Sequence, residues 1–490
     1  MPILATHNLV VDVSAESDNS LPGEFFFSLQ LHRMRTRGRR PTVHVVTLGC
    51  SKNLADSEQL LAQLAAAEWP VAVHGTPRRN DIIIINTCGF IEQAKQESIN
   101  TILDFAERKK QNRISRLYVT GCLSQRYRHQ LEQEIPEVDA WFGTLELPQL
   151  LKHLGTDYRH DLVGEHYLTT PSHYAYVKIS EGCNRICSFC AIPLMRGPHR
   201  SKPMEAIEQE VRSLVSRGVV EVMLIAQELT YYGLDLYRRR MLAELLRRLA
   251  DIEGLAWLRL HYAYPAAFPM DVLDVMQQRS NICRYLDIPF QHISDGVLNR
   301  MRRQITRHQT YDLIQRIRDR LPDMTLRTTL LTGFPGETEQ DHEQLLRFVE
   351  DIRFDRLGIF TYSHEEDTAA HALEDDVPPE VKERRAQEIM TLQQNISLQK
   401  NEALIGQTLR VLLDRREGAW WMGRSEGDSP EVDNEVWVAD AAGLAAGRFA
   451  DVCITDAAAY DLFGRVAGHV GKGPASPASA TRNASFNVAP

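Results

Sequence analysis

The chain has 490 residues, 43% of them hydrophobic and 25% charged, with a net charge of −9 and a pI near 6.0. That length suggests two to four domains, and the composition is that of an ordinary soluble globular protein. The charge argues against a surface built throughout for nucleic acid, and no apolar run approaches the ~20 residues of a membrane helix.

Residues 1–40 read as a leader, with Asp12, Glu16, Asp18 and Glu24 ahead of Arg33, Arg35, Arg37, Arg39 and Arg40. The acidic residues argue against a transit peptide, and the basic-then-apolar order of a secretion signal is missing. A cytoplasmic location with reduced thiols is therefore expected. Residues 41–165 are expected to form an N-terminal parallel α/β domain. Three β-branched runs, at 43–47, 82–85 and 117–119, each lead into a turn that pairs glycine with cysteine: Gly49-Cys50, Cys88-Gly89 and Gly121-Cys122. Helical patterns lie at 55–66 and 91–110. The cysteine spacing is close to the ~30 residues of a βαβ unit, so Cys50, Cys88 and Cys122 would gather at one sheet edge. Three unrelated core cysteines are the competing reading.

From 172 to 403 strands and helices alternate. Strands are expected at 174–180, 219–226, 256–262, 285–290, 325–332 and 355–361, and helices near 203–217, 240–251, 269–279, 308–320 and 338–352. Six βα units predict a partial (βα)6 barrel, open on one side, with active groups at the C-terminal strand ends. After the first strand comes Cys183-Asn184-Arg185-Ile186-Cys187-Ser188-Phe189-Cys190, a C-x3-C-x2-C run. It supplies three thiolates and no fourth, whereas structural zinc and most iron–sulfur sites take four protein ligands. The open position is where chemistry can occur. A zinc loop completed by a distant residue such as His199 is the alternative. Gln227, Glu228, His261, Gln291, Gly333, Gly336 and Glu337 follow later strands and are cofactor-binding candidates. Each could instead serve a turn, and Gly336 to Thr338 could open a helix. No catalytic side chain is assigned beyond the six cysteines, and Cys283 and Cys453 read as packing residues.

A charged helical stretch at 382–403 links to a small antiparallel β-barrel of about five strands over 404–470, an OB-like pattern. Residues 404–468 hold eleven Asp or Glu, six Arg and no Lys, a net charge of −5. Such a module would repel RNA and favour a basic protein. A merely solvated acidic face is the alternative. Residues 471–490, rich in Gly, Pro, Ala and Ser, are expected to be a disordered tail.

The order of parts resembles the radical S-adenosylmethionine (SAM) methylthiotransferases: a three-cysteine domain, a radical SAM barrel and a TRAM domain. The resemblance covers about 42–468 and is closer to the branch that methylthiolates an aspartate of small-subunit ribosomal protein twelve. Thr47-Leu48-Gly49-Cys50-Ser51-Lys52-Asn53, Asn86-Thr87-Cys88-Gly89-Phe90-Ile91 and Ala191-Ile192-Pro193-Leu194-Met195-Arg196-Gly197 carry it, with Phe360–Glu366 and Pro430-Glu431-Val432-Asp433. Gln227-Glu228-Leu229-Thr230 departs from the expected Gln-Asp-Thr and puts the role of Glu228 in doubt.

The resemblance implies two 4Fe-4S clusters, one on Cys50, Cys88 and Cys122 and a SAM-chelating one on Cys183, Cys187 and Cys190. SAM would be both radical source and methyl donor, acting on the β-carbon of the aspartate. Implied partners are the ribosomal protein or the assembled small subunit, an electron donor such as flavodoxin or ferredoxin, and a sulfur source. Membrane and nucleic acid are not expected as partners. The rival activities are tRNA methylthiolation on a modified adenosine and a non-catalytic iron–sulfur scaffold or electron-transfer protein.

Overall fold

The computed structural model describes residues 40–162 and 164–468. The tail expected at 471–490 lies outside them, as does the leader apart from Arg40.

The first domain is a parallel sheet in the order Val71–Ala72, Val43–Thr47, Ile82–Thr87, Arg116–Gly121, Ala140–Trp141. Its central strand, Ile82–Thr87, is buried at every residue, because helices cover both sheet faces. Leu60, Leu61 and Leu64 of the helix Ser51–Ala66 pack one face, and Ile102 and Ala106 of the helix Glu92–Lys110 pack the other. The two outer strands have two residues each, too short for any alternation to show in the sequence.

The second sheet has six strands, all parallel and in chain order: Tyr174–Lys178, Glu221–Ile225, Trp257–Leu260, Ile282–Asp287, Thr325–Thr332 and Arg356–Thr361. Its first and last strands do not pair, so the barrel is open as expected. The helix Glu339–Ile352 begins with a capping box between Thr338 and Asp341, so this stretch does open a helix. The helix Asp295–Arg300 is additional to those expected, since six residues carry too little periodicity.

The third sheet is a closed five-stranded barrel in the order Thr408–Glu417, Trp420–Arg424, Glu435–Ala439, Asp461–Val466, Phe449–Ala457. Four of its pairings are antiparallel. The fifth, Glu435–Ala439 with Asp461–Val466, is parallel, because the last strand enters between the third and fourth. This is one departure from a purely antiparallel barrel.

The segment 424–433 of this barrel reaches all six strands of the half barrel. Arg424 pairs with Glu221 at 2.7 Å, and Arg259 donates to the Glu426 carbonyl at 2.6 Å. Tyr174 donates to Glu431 at 3.3 Å, and Tyr285 to Asp433 at 2.7 Å. Arg327 bonds Asp433 at 3.2 Å, and Arg356 bonds Asp428 at 2.5 Å. These contacts turn part of the barrel's acidic charge inward. Asp428 and Asp433 are buried in ion pairs, and Asp414 is tied to Arg424 and His173. The fully exposed charges are Arg410, Arg415, Arg416, Arg448 and Arg465 against Glu417, Glu431, Asp440 and Asp451, while Glu426, Glu435, Asp456 and Asp461 are partly exposed. Part of the −5 thus comes from groups that solvent and partners do not meet. Among the described residues no helix is long and apolar enough to cross a membrane.

The first domain docks on the half barrel through buried charge. His166 lies between Glu58 of the helix Ser51–Ala66 and Glu210 of the helix Met204–Ser216, at 2.9 and 2.5 Å. Burial alone would depress the imidazole, but the two carboxylates outweigh it and push its pKa up to about 9. A raised folded-state value stabilises the fold fully below the unfolded value near 6.5 and loses that contribution as pH rises toward 9. Denaturant unfolding should therefore show stability falling between pH 6.5 and 9. Substitution His166→Leu should cost about 3–5 kcal/mol at pH 6 and flatten that slope, since Glu58 is left buried without its cation and Glu210 keeps only Lys202.

Candidate functional site

All six motif cysteines line one cavity of about 410 Å³ between the C-terminal ends of the two parallel sheets. Cys50 precedes the helix Ser51–Ala66, Cys88 follows the strand Ile82–Thr87, and Cys122 opens the helix Cys122–Glu134. This is the strand-end convergence that a parallel sheet imposes. Gly49 has φ +89°, and a Cβ there would lie 2.6 Å from Cys88 Cβ and 2.9 Å from its sulfur. Only glycine lets Cys50 and Cys88 approach so closely.

The second set sits in the loop after the first half-barrel strand. Gly182, at φ +75°, has the Pro198 carbonyl 2.2 Å from where a Cβ would stand. The Cys183 N–H donates to the Gly197 carbonyl at 3.1 Å, and the Ser188 N–H to the Met301 carbonyl at 3.0 Å, which pins the loop at both ends. Cys187 is flanked by Arg303, which donates to its sulfur at 3.3 Å, and by the Tyr264 hydroxyl at 3.6 Å. Arg303 and Arg185 both lie over the Tyr264 ring, at 4.2 and 3.8 Å from its centroid.

The cysteines are all free thiols. Burial pushes Cys88 and Cys190 up to about 12 and Cys183 up to about 11, and it raises Cys122 as well. A bound metal must displace those protons. Among the described residues, no group of three His, Cys, Asp or Glu side chains is placed to hold a single metal ion. Cluster thiolates each bind a different iron, so they stand farther apart than the ligands of one zinc. His199 donates or accepts with Ser201 at 3.1 Å and does not line the cavity, which removes the anticipated fourth zinc ligand. Two sets of three sulfurs facing one space fit two clusters, each with an open corner.

The other sequence candidates divide. Gln227, Glu228 and Gln291 line the cavity. The Gln227 amide nitrogen donates to Glu181 at 2.8 Å, and its buried carbonyl oxygen has no partner among the described residues. Glu228 is spent: it accepts from Arg185 Nη2 at 2.9 Å and from the Thr230 N–H at 2.6 Å. Its carboxylate positions Arg185. His261, Gly333, Gly336 and Glu337 lie outside the cavity lining and are held by other partners. His261 is buried against Ser429 of the C-terminal barrel at 2.9 Å. The Gly333 backbone lies against the Lys382 side chain, and its N–H donates to Glu337 at 2.6 Å. Gly336 donates its N–H to Asp376 at 2.7 Å. Glu337 also takes the Phe334 N–H at 3.1 Å and pairs with Arg385 at 3.2 Å, so it holds its own turn. Lys52, Arg196, Tyr264, Arg303 and Phe360 line the cavity, although the sequence assigns them no role. Lys52 and Arg196 are signalled by proximity to the cysteine motifs and Phe360 by the stretch Phe360–Glu366, whereas Arg303 and Tyr264 have no such signal.

Three family models match the chain: "Uncharacterized protein family UPF0004" over 42–143, "Radical SAM superfamily" over 177–349 and "TRAM domain" over 405–467. Relatives named ribosomal protein uS12 methylthiotransferase RimO include those of Cytophaga hutchinsonii and Flavobacterium johnsoniae. The first is 54% identical over 88% of this chain and 100% of its own length. The second is 54% identical over 89% and 100%. The protein of that name from Parabacteroides distasonis is 50% identical over 87% and 99%. Among solved structures, the radical SAM methyltransferase TsrM of Kitasatospora setae is a distant likeness, with TM-score 0.47 and 15% identity over 66% of this chain and 75% of that one. At these identities and coverages, the chain belongs to the RimO family and is a radical SAM methylthiotransferase.

Proposed function

We propose that this chain methylthiolates the β-carbon of an aspartate of ribosomal protein uS12. The observation that carries the reading is the single cavity shared by both cysteine sets. The names of its relatives supply the substrate. In this reading Cys183, Cys187 and Cys190 hold the 4Fe-4S cluster that chelates SAM, and Cys50, Cys88 and Cys122 hold the second. When bound, these groups supply a radical able to take hydrogen from an unactivated carbon, an open iron for the incoming sulfur, and the methyl group.

The protein's part is to position and shield. Arg303 and Tyr264 hold Cys187, and Glu228 holds Arg185 across the Tyr231 and Tyr264 rings. The free carbonyl of Gln227 and the amide of Gln291 are the remaining candidates for cofactor contact. Phe90, Ile91, Phe189, Leu331 and Phe360 give the cavity apolar walls, which exclude water from a reactive intermediate. An external electron donor of the flavodoxin or ferredoxin class and a sulfur source complete the requirements of this reading.

Anaerobic reconstitution with SAM and reductant should add a methylthio group to uS12, read by mass spectrometry, and leave bulk tRNA unchanged. Modification of tRNA alone would assign the chain to the other substrate class. Because part of the C-terminal barrel's acidic charge is turned inward, this comparison decides the matter and the charge count does not. Within the site, Cys187→Ala should abolish SAM cleavage. Cys88→Ala should retain a measurable part of it and lose sulfur insertion. Equal loss of cleavage in both, with the second set still loaded in Cys88→Ala, would refute this division of labour.

A further inference from the structure

Four cations line the cavity, and three have partners. Arg185 pairs with Glu228, Arg196 with Asp56, and Arg303 donates to Cys187 and to the Pro289 carbonyl. The fourth, Lys52, is only 8% exposed and forms no side-chain hydrogen bond or ion pair among the described residues. Its ammonium meets the face of the Tyr262 ring, 2.9 Å from the centroid. An ammonium lining a largely enclosed cavity without a paired anion carries an electrostatic cost. Its place at the second position of the helix Ser51–Ala66 adds to the cost, because helix N-termini favour negative charge. Tyr262 is itself held at φ +66°, an uncommon conformation for a residue with a side chain. Gln291, also on the cavity wall, is held at φ +71°. Strain of this kind gathers at ligand-binding sites.

Two duties in the cavity are already filled by other groups. Arg196 serves the first cysteine set as its nearby cation: it donates to Asn53 Oδ1, which also faces the Cys122 sulfur at 3.8 Å. Arg185 and Arg303 stand on the side of the second set. Lys52 is left reaching from the first domain to the barrel wall, between the two sets.

We propose that Lys52 receives the side-chain carboxylate of the target aspartate and so sets that residue's β-carbon between the two cysteine sets. The inference rests on the methylthiotransferase reading above and names the group that selects its substrate. An ammonium suits a carboxylate and gives no advantage to a neutral amide, so the enzyme would discriminate aspartate from asparagine at the same position.

The test uses reconstituted holoenzyme with uS12 and with a uS12 variant whose target aspartate is replaced by asparagine. Wild type should bind the aspartate form about tenfold or more tightly than the asparagine form. Lys52→Met should lose that preference, and Lys52→Arg should keep part of it. Both variants should retain wild-type iron and sulfide content and SAM affinity. Equal binding of the two uS12 forms by wild type overturns the proposal without any variant. So does a Lys52→Met enzyme whose defect lies in SAM affinity or iron content while its preference persists. If wild type methylthiolates uS12 and shows no preference, this proposal alone falls. If it modifies no uS12 at all, the functional reading falls first.

Discussion

The structure depends on one buried guanidinium. Arg196 ends the short helix that follows the C-x3-C-x2-C loop, yet its partners are Asp56 at 2.5 Å and Asn53, both in the first domain. Glu181 at 3.4 Å and Lys178, which also bonds Asp56, complete the cluster. A guanidinium that is 3% exposed is tolerable only when paired, so the first sheet can dock in few ways. At the far side of the cavity Glu365, just beyond the last half-barrel strand, is held by Lys95 at 3.1 Å and Arg126 at 2.7 Å. Two charge clusters thus bracket the cavity. Buried ion pairs of this kind contribute more to a unique arrangement than to stability, and arrangement is what two facing cysteine sets require.

The same burial that orders the site resists its loading. Thiols raised toward 11 or 12 are protonated at neutral pH, so each cluster must be assembled against that cost. Once assembled, the apolar walls that raised the thiols shield the clusters and any radical from water. Protection and difficult assembly have one physical origin here.

The parts of the site fixed by backbone topology were legible in the sequence. A cysteine beside a glycine at the end of an apolar run marks a strand end, and a parallel sheet brings such ends together. The polar candidates were less legible, because their partners are distant in the chain. Nothing near His261 announces Ser429, and nothing near Gly333 announces Lys382. Glu337 looked like a ligand and is a turn anchor, a choice that depends on where Arg385 falls. The acidic count of the last barrel overstates its outer charge for a related reason. Composition sums charges, but partners meet only those facing solvent, and Asp428 and Asp433 face inward.

The crossing made by residues 424–433 also bears on the order in which the chain can be completed. The half barrel carries buried Glu221 and Arg259 and partly buried Arg327 and Arg356 on its strands, and Glu221, Arg327 and Arg356 each have an ion-pair partner in that late segment. Chains emerge from the ribosome N-terminus first, and their domains fold as they appear. Until the segment emerges, this set of charges lacks part of its compensation and stays hydrated.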